Sequence, residues 1–189
     1  MKKLISIFSL TSVLFITGCS STITTTQTEN SYKSQNYTKV DSTVVLGEFT
    51  YEPAKLGKVK ESQPENTAMG SIYFDQSISE MVKNFTAKEL SITGIKVGTG
   101  KLTLLGNVKQ LKIDDLGYSV DFSYIINYKI LKNGSIVWNK DYSPNSVTVS
   151  KFDGNPRQII TTQTYRLIAS GYEKFINDNG VKALLETNK

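Results

Sequence analysis

The chain has 189 residues, with 22 Lys plus Arg against 17 Asp plus Glu, a net charge of +5, one Cys and no His. The missing His excludes a Ser-His-Asp or Cys-His nucleophile system and a His-ligated zinc or iron centre. A single Cys, Cys19, excludes an internal disulfide, and the mild, evenly spread positive charge argues against a nucleic-acid partner.

At the N-terminus, Met1-Lys2-Lys3 precedes a 13-residue apolar run, Leu4 to Ile16, and Thr17-Gly18-Cys19 closes it. A charged start, a short apolar core and small residues before a break make a secretory signal. At about 1.5 Å per residue the run spans about 20 Å, short of the roughly 30 Å hydrocarbon core, so a transmembrane helix is the poorer reading. With Cys directly after Thr-Gly, the stretch resembles the lipobox of bacterial lipoproteins. That resemblance implies cleavage between Gly18 and Cys19, a diacylglyceryl group on the Cys19 sulfur and acylation, for instance with palmitate, of the new amino group. Two or three acyl chains anchor stably where one is marginal. Ser20 follows, and Asp at that position is the inner-membrane retention signal in enteric bacteria. The resemblance therefore further implies an outer-membrane anchor with the domain in the periplasm, or the cell membrane in a Gram-positive host.

Residues 1–18 are thus a signal peptide. Residues 19–42 begin Ser20-Ser21-Thr22-Ile23-Thr24-Thr25-Thr26 and are too polar to offset their own ordering entropy, so they read as a flexible tether. Asn36-Tyr37-Thr38 matches a glycosylation acceptor, which the bacterial lipobox discounts. Residues 43–189 suit one domain with a real core.

Within that domain, Thr43-Val44-Val45-Leu46-Gly47-Glu48-Phe49 is the first strand. A polar loop over 51–70 follows, with Pro53, Pro64, Lys55, Lys58, Lys60, Glu52, Glu61 and Glu65; a loop this long is either solvated or a binding site. Without apolar periodicity, its removal over 54–66 is expected to leave the fold intact. Ser77-Ile78-Ser79-Glu80 has capping-box spacing, and Ile78, Met81, Val82 and Phe85 form one apolar face of a helix over 77–92 that Gly94 stops. Leu102, Leu104, Val108, Leu111 and Ile113 mark a strand whose parity changes between Val108 and Leu111, the mark of a bulge. Gly94, Gly98, Gly100 and Gly106 lack the spacing of a phosphate loop. Asp114-Asp115, the most conspicuous acidic pair, precedes Leu116-Gly117 and reads as a turn and not as a catalytic dyad.

Tyr118, Val120, Phe122, Tyr124, Ile126, Tyr128 and Ile130 then alternate with smaller or more polar residues over a 118–131 strand. This stripe is either a carbohydrate-binding face or the floor beneath the helices, and two amphipathic helices in need of a surface favour the floor. For the hairpin at Lys132-Asn133-Gly134, a three-residue turn with a G1 bulge puts the apolar residues of both strands on one face, pairing Ile130 with Ile136, Tyr128 with Trp138 and Tyr124 with Tyr142. The next strand is expected over 136–149. Asn155-Pro156 opens a helix to about 177 with Ile160, Thr164, Leu167, Ile168, Gly171, Tyr172 and Phe175 on one face. Asp178-Asn179-Gly180 stops it, and Val181 to Leu185 add a short helical turn.

The fold expected is an α/β (α+β) two-layer sandwich, a mostly antiparallel sheet with two main helices on one face. Behind the Cys19 lipobox, the Gly94 region, the Asn133-Gly134 hairpin and the tail after Gly180 resemble the YajG-type family of small bacterial lipoproteins, over about residues 70–186. More distantly the layout resembles the LptE-type envelope accessory lipoproteins. The resemblance implies a non-enzymatic envelope protein with no cofactor or metal, held to the membrane through Cys19 and partnered by another envelope protein. The alternative is a lipid- or glycan-binding lipoprotein using the tyrosine stripe or the 51–70 loop. An exposed stripe would favour the ligand reading and a buried one the interaction reading.

Overall fold

The computed structural model describes residues 23–25, 39–66 and 71–188. Gly18, Cys19 and Asn36-Tyr37-Thr38 lie outside the described residues. In chain order the elements are β1 (Ile23–Thr25), β2 (Ser42–Tyr51), α1 (Glu52–Lys55), β3 (Glu65–Asn66), β4 (Ile72–Phe74), α2 (Ile78–Ile92), β5 (Ile95–Val97), β6 (Leu102–Asp114), β7 (Ser119–Lys132), β8 (Ser135–Tyr142), β9 (Val147–Ser150), α3 (Pro156–Ile176) and α4 (Asn179–Glu186).

The main sheet runs β5-β2-β6-β7-β8, with β3 added beside the end of β6 and β9 beside the start of β7. The sheet is mixed. β6, β7 and β8 form an antiparallel meander, and β9 is antiparallel to β7. β2 is parallel to both β5 and β6, and β3 to β6. The parallel part follows from connectivity, since the chain leaves β2 and returns to β5 beside it through a helical crossover.

Tyr128 shows that α2 and α3 cover the same face. Its hydroxyl lies 3.1 Å from Thr86 Oγ1 of α2, and its ring centroid lies 4.5 Å from that of Phe175 of α3. The result is the expected two-layer α+β sandwich. Val120, Phe122, Tyr124, Ile126, Tyr128 and Ile130 are all buried. The expected bulge in β6 falls between Val108 and Gln110; it restores Leu111 and Ile113 to the inward side opposite Tyr124 and Phe122.

Both ends of α2 and the start of α3 follow their sequences. Ser77 Oγ accepts from the Glu80 amide at 3.2 Å, and the Thr93 hydroxyl donates to the Glu89 and Leu90 carbonyls at 2.9 Å just before Gly94, whose φ is +89°. Asn155 caps α3 through the Arg157 amide at 2.9 Å. α3 sits close on β7 at Gly171, where a Cβ would meet Tyr124 Cε1 at 2.9 Å.

Several expectations need correction. Tyr118 is 82% exposed and does not share the buried stripe, because β7 begins only at Ser119. The β7–β8 hairpin has a two-residue turn, Lys132 pairing with Ser135 around Asn133 (φ +50°) and Gly134 (φ +84°). A register shift then follows, with Leu131 opposite Ile136 but Ile130 opposite Trp138, Tyr128 opposite Lys140 and Ile126 opposite Tyr142. The bulge thus does what the three-residue turn was expected to do, and Tyr142 joins the buried face by a different register.

The 136–149 strand is two strands, β8 and β9, separated around buried Pro144, which has no amide to give to a ladder. Asp178-Asn179-Gly180 opens α4 and does not close α3: Asp178 Oδ1 accepts from the Gly180 amide at 3.0 Å, and α3 ends at its C-cap Asn177. The segment read as a tether over 19–42 also holds structure. Ile23–Thr25 pair in parallel with Ile72–Phe74, and Val40 is buried with its amide on the Thr93 carbonyl at 2.9 Å. Backbone pairing with β4, a strand the sequence pattern does not disclose, outweighs the polar composition there.

Candidate functional site

With the helices on one face, the other face of the sheet carries the alternate residues of each strand. Residues i and i+2 of a strand share a face, so the burial of Leu104, Gly106 and Val108 sends Leu105 and Asn107 outward on β6. The burial of Tyr124, Ile126 and Tyr128 likewise sends Ile125, Asn127 and Lys129 outward on β7. Asn107 and Asn127 are directly opposite one another across this pair.

A ladder of polar side chains crosses this open face. Thr50 Oγ1 donates to Asn107 Oδ1 at 2.8 Å, and Asn107 Nδ2 donates to Glu52 Oε2 at 2.9 Å. Asn127 Nδ2 donates to Asn139 Oδ1 at 2.9 Å and to Asp141 Oδ1 at 2.6 Å. Lys109 Nζ donates to Asp141 Oδ2 at 2.7 Å. Burial pushes the Asp141 carboxyl up, but the hydrogen bonds from Lys109 and Asn127 outweigh it and hold it below its ordinary range.

Between β2, β6 and β7 this face opens into a cleft of about 310 Å³, lined among others by Glu48, Glu52, Lys55, Asn107, Asn127 and Lys129. Asn127 is only 7% exposed, and its Oδ1 has no hydrogen-bond partner. Its amide nitrogen is committed to Asn139 and Asp141 of β8. Glu52 and Asp141 are occupied by these hydrogen bonds. The arrangement presents alternating donors and acceptors suited to recognition by hydrogen bonding.

The 51–70 segment borders the cleft and is built into the domain. Pro53 and Pro64 are buried, and Val59 packs against the core. The Ser62 carbonyl accepts from the Phe74 amide at 2.9 Å, and the Glu61 carbonyl accepts from the Ile78 amide at 2.8 Å at the head of α2. β3 extends the sheet along Lys112 and Ile113. Residues 54–66 are thus not the free loop the sequence suggested, because their backbone satisfies groups elsewhere. Only the turn around Lys55, Leu56, Gly57 and Lys58 is exposed on all four residues.

Of the residues the sequence singled out, the tyrosines at 124 and 128 are in the core; Asp114, expected in the turn, is the last residue of β6 opposite Asp121, and only Asp115, which is buried, lies in the β6–β7 turn. Among the described residues no three His, Cys, Asp or Glu side chains group as a metal centre, and no helix is long and apolar enough to cross a membrane. The Asn107, Asn127, Asn139 and Asp141 ladder was not foreseen. Its signal was the polar residue at alternate positions of each strand, legible only once the strands are in register.

No protein-family model matches the chain, and no curated protein sequence does. The fold is similar to that of a DUF330 protein from Xanthomonas campestris, with a TM-score of 0.62 and 10% identity over 88% of this chain and 98% of that one. A hypothetical protein from Chlamydia trachomatis gives a TM-score of 0.48 at 7% identity, over 72% of this chain and 96% of that one. A minor lipoprotein from Acinetobacter baumannii gives 0.44 at 8% identity, over 75% and 94%. At such identities the Xanthomonas likeness is one of fold.

Proposed function

We propose that this chain is a bacterial envelope lipoprotein, anchored through an acylated Cys19, that works as a non-enzymatic interaction module on another envelope protein. The anchor rests on Thr17-Gly18-Cys19 behind a short apolar core. Outer-membrane placement with the domain in the periplasm rests on Ser20 after the Cys. Kinship with the YajG-type or LptE-type lipoproteins belongs to the same proposal, supported by the order of helix, three-strand meander, long helix and short apolar tail.

The observation that carries the interaction reading is the burial of Tyr124 and Tyr128 beneath α2 and α3, which removes the aromatic face a glycan or lipid would stack on. What remains accessible on the sheet is the polar ladder and its cleft, bordered by the Lys55–Lys58 turn. The partner surface we assign is this open face. A second reading, a small polar ligand in the cleft, is favoured by the buried, unpaired Asn127 Oδ1.

Photo-crosslinking residues placed at Lys129, Asn139 and Lys58 should capture one protein of defined mass in the intact envelope. The same residue placed at Glu173 on α3 should not capture it. Equal capture from the helix layer, or none from the open face, would move the contact elsewhere.

A further inference from the structure

Three large apolar side chains project together from one end of the domain. Leu116 and Tyr118 flank Gly117 in the β6–β7 turn and are 65% and 82% exposed; Phe152, in the β9–α3 turn, is 79% exposed. The Tyr118 and Phe152 ring centroids lie 6.3 Å apart. The two turns are fastened to one another and within themselves. The Lys151 amide donates to the Tyr118 carbonyl at 3.0 Å, Lys151 Nζ donates to the Asp115 carbonyl, and the Phe152 amide donates to Ser150 Oγ at 3.1 Å. This is a built knob, with a lysine stem and two aromatic tips.

Its size narrows the occupant. Three such side chains expose on the order of 400 Å², about half of the roughly 800 Å² per partner of a standard protein interface. Aromatic rings on a turn tip suit the headgroup level of a bilayer, where amphipathic rings settle. Chain geometry points the same way. β3 pairs with Lys112 and Ile113, next to the knob, and a six-residue step of at most about 20 Å separates Asn66 from Ile72 of β4. β1 pairs with β4 and touches α3. Cys19 precedes Ile23 by four residues, at most about 14 Å.

We infer that Leu116, Tyr118 and Phe152 form a bilayer-contacting knob that enters the lipid headgroup region beside the Cys19 anchor and fixes the orientation of the domain on the membrane. This rests on the Cys19 acylation proposed above. The test uses the processed chain purified from host membranes and returned to phosphatidylethanolamine–phosphatidylglycerol vesicles, with or without brominated acyl chains. Trp138 is the only Trp, so Phe152→Trp adds one reporter at the knob and the unsubstituted chain gives the Trp138 background.

The added emission should be blue-shifted and lost on passing to brominated lipid, while Trp138 emission stays constant. Tyr118→Ser in the same background should restore part of the lost emission. Acyl chains found on Cys19 together with unquenched emission would overturn the inference and leave the anchor standing. Emission that responds to protein concentration and not to bromine would overturn it in favour of a second copy of the chain. A mass that shows no acyl group on Cys19 would instead remove the lipoprotein reading, and this inference with it.

Discussion

Tyr128 ties both helices to the sheet. It is fully buried, its hydroxyl meets Thr86, and its ring meets those of Phe49, Tyr142 and Phe175. Tyr128→Ala should cost about 3–5 kcal/mol in denaturant unfolding, a large share of a domain's stability. Tyr128→Phe should cost only about 1 kcal/mol, since Thr86 keeps its bond to the Val82 carbonyl. A Tyr128→Ala cost under about 1 kcal/mol would place the residue on the surface and reverse the sheet's two faces. Asp178 acts through charge as well as capping. Burial pushes its carboxyl up, but the hydrogen bond from Lys140 at 2.7 Å and the Gly180 amide hold it below the ordinary range. A carboxyl depressed in the folded state adds stability that is complete above its unfolded pKa, about 4, and is lost as pH falls through the folded value. Asp178→Asn should keep the cap and lose the ion pair, a cost of at most about 1 kcal/mol at pH 7. That difference should shrink from pH 7 to an acidic pH below the ordinary carboxyl range, as Asp178 takes up its proton. Asp178→Ala should cost about 1 kcal/mol more, through the lost cap of α4. Urea unfolding at the two pH values separates the terms.

At the scale of elements, the strap between β2 and α2 decides whether residues 54–66 can be spared. Deleting them removes the Ser62 and Glu61 carbonyls from the Phe74 and Ile78 amides and strips β3 from β6. The deletion should therefore lower the unfolding midpoint sharply. Changing only Lys55, Leu56 and Lys58 to Ser should leave it within the surface range of about 0.5 kcal/mol. Equal stability of the deletion variant would return this segment to the status of a dispensable loop. The contrast shows what local pattern discloses. α2 and α3 were legible because a cap and an apolar face of period 3.6 coincide in each, and in α2 a stop as well. β6 and β7 were legible because alternation is sustained, and even the β6 bulge showed as a change of parity. The hairpin register was not, because a two-residue turn plus a bulge and a three-residue turn give the same sidedness. β3 and β4 were not, because strands of two and three residues have no period to detect. The open-face ladder was hidden for a related reason: Asn107 and Asn127 become neighbours only through a pairing that spans 20 residues of chain.

At the scale of the whole molecule, the sandwich has one covered and one open face, and the proposed function adds a membrane anchor at Cys19. Loss of Lys2 and Lys3 with the leader would leave 20 basic against 17 acidic residues, a net of +3, too little for charge alone to hold the domain on a membrane. Stable attachment then depends on the lipid. Cys19→Ser should release the domain from the membrane fraction or block its processing, without moving the unfolding midpoint of the released domain. The most direct test is the intact mass of the chain purified from its native membranes. The expected species is a polypeptide of residues 19–189 carrying a diacylglyceryl group and, where the amino group is acylated, a third acyl chain, with all added mass on the N-terminal Cys19 peptide. An unmodified chain, or one that begins at a residue other than Cys19, would contradict the proposed anchor.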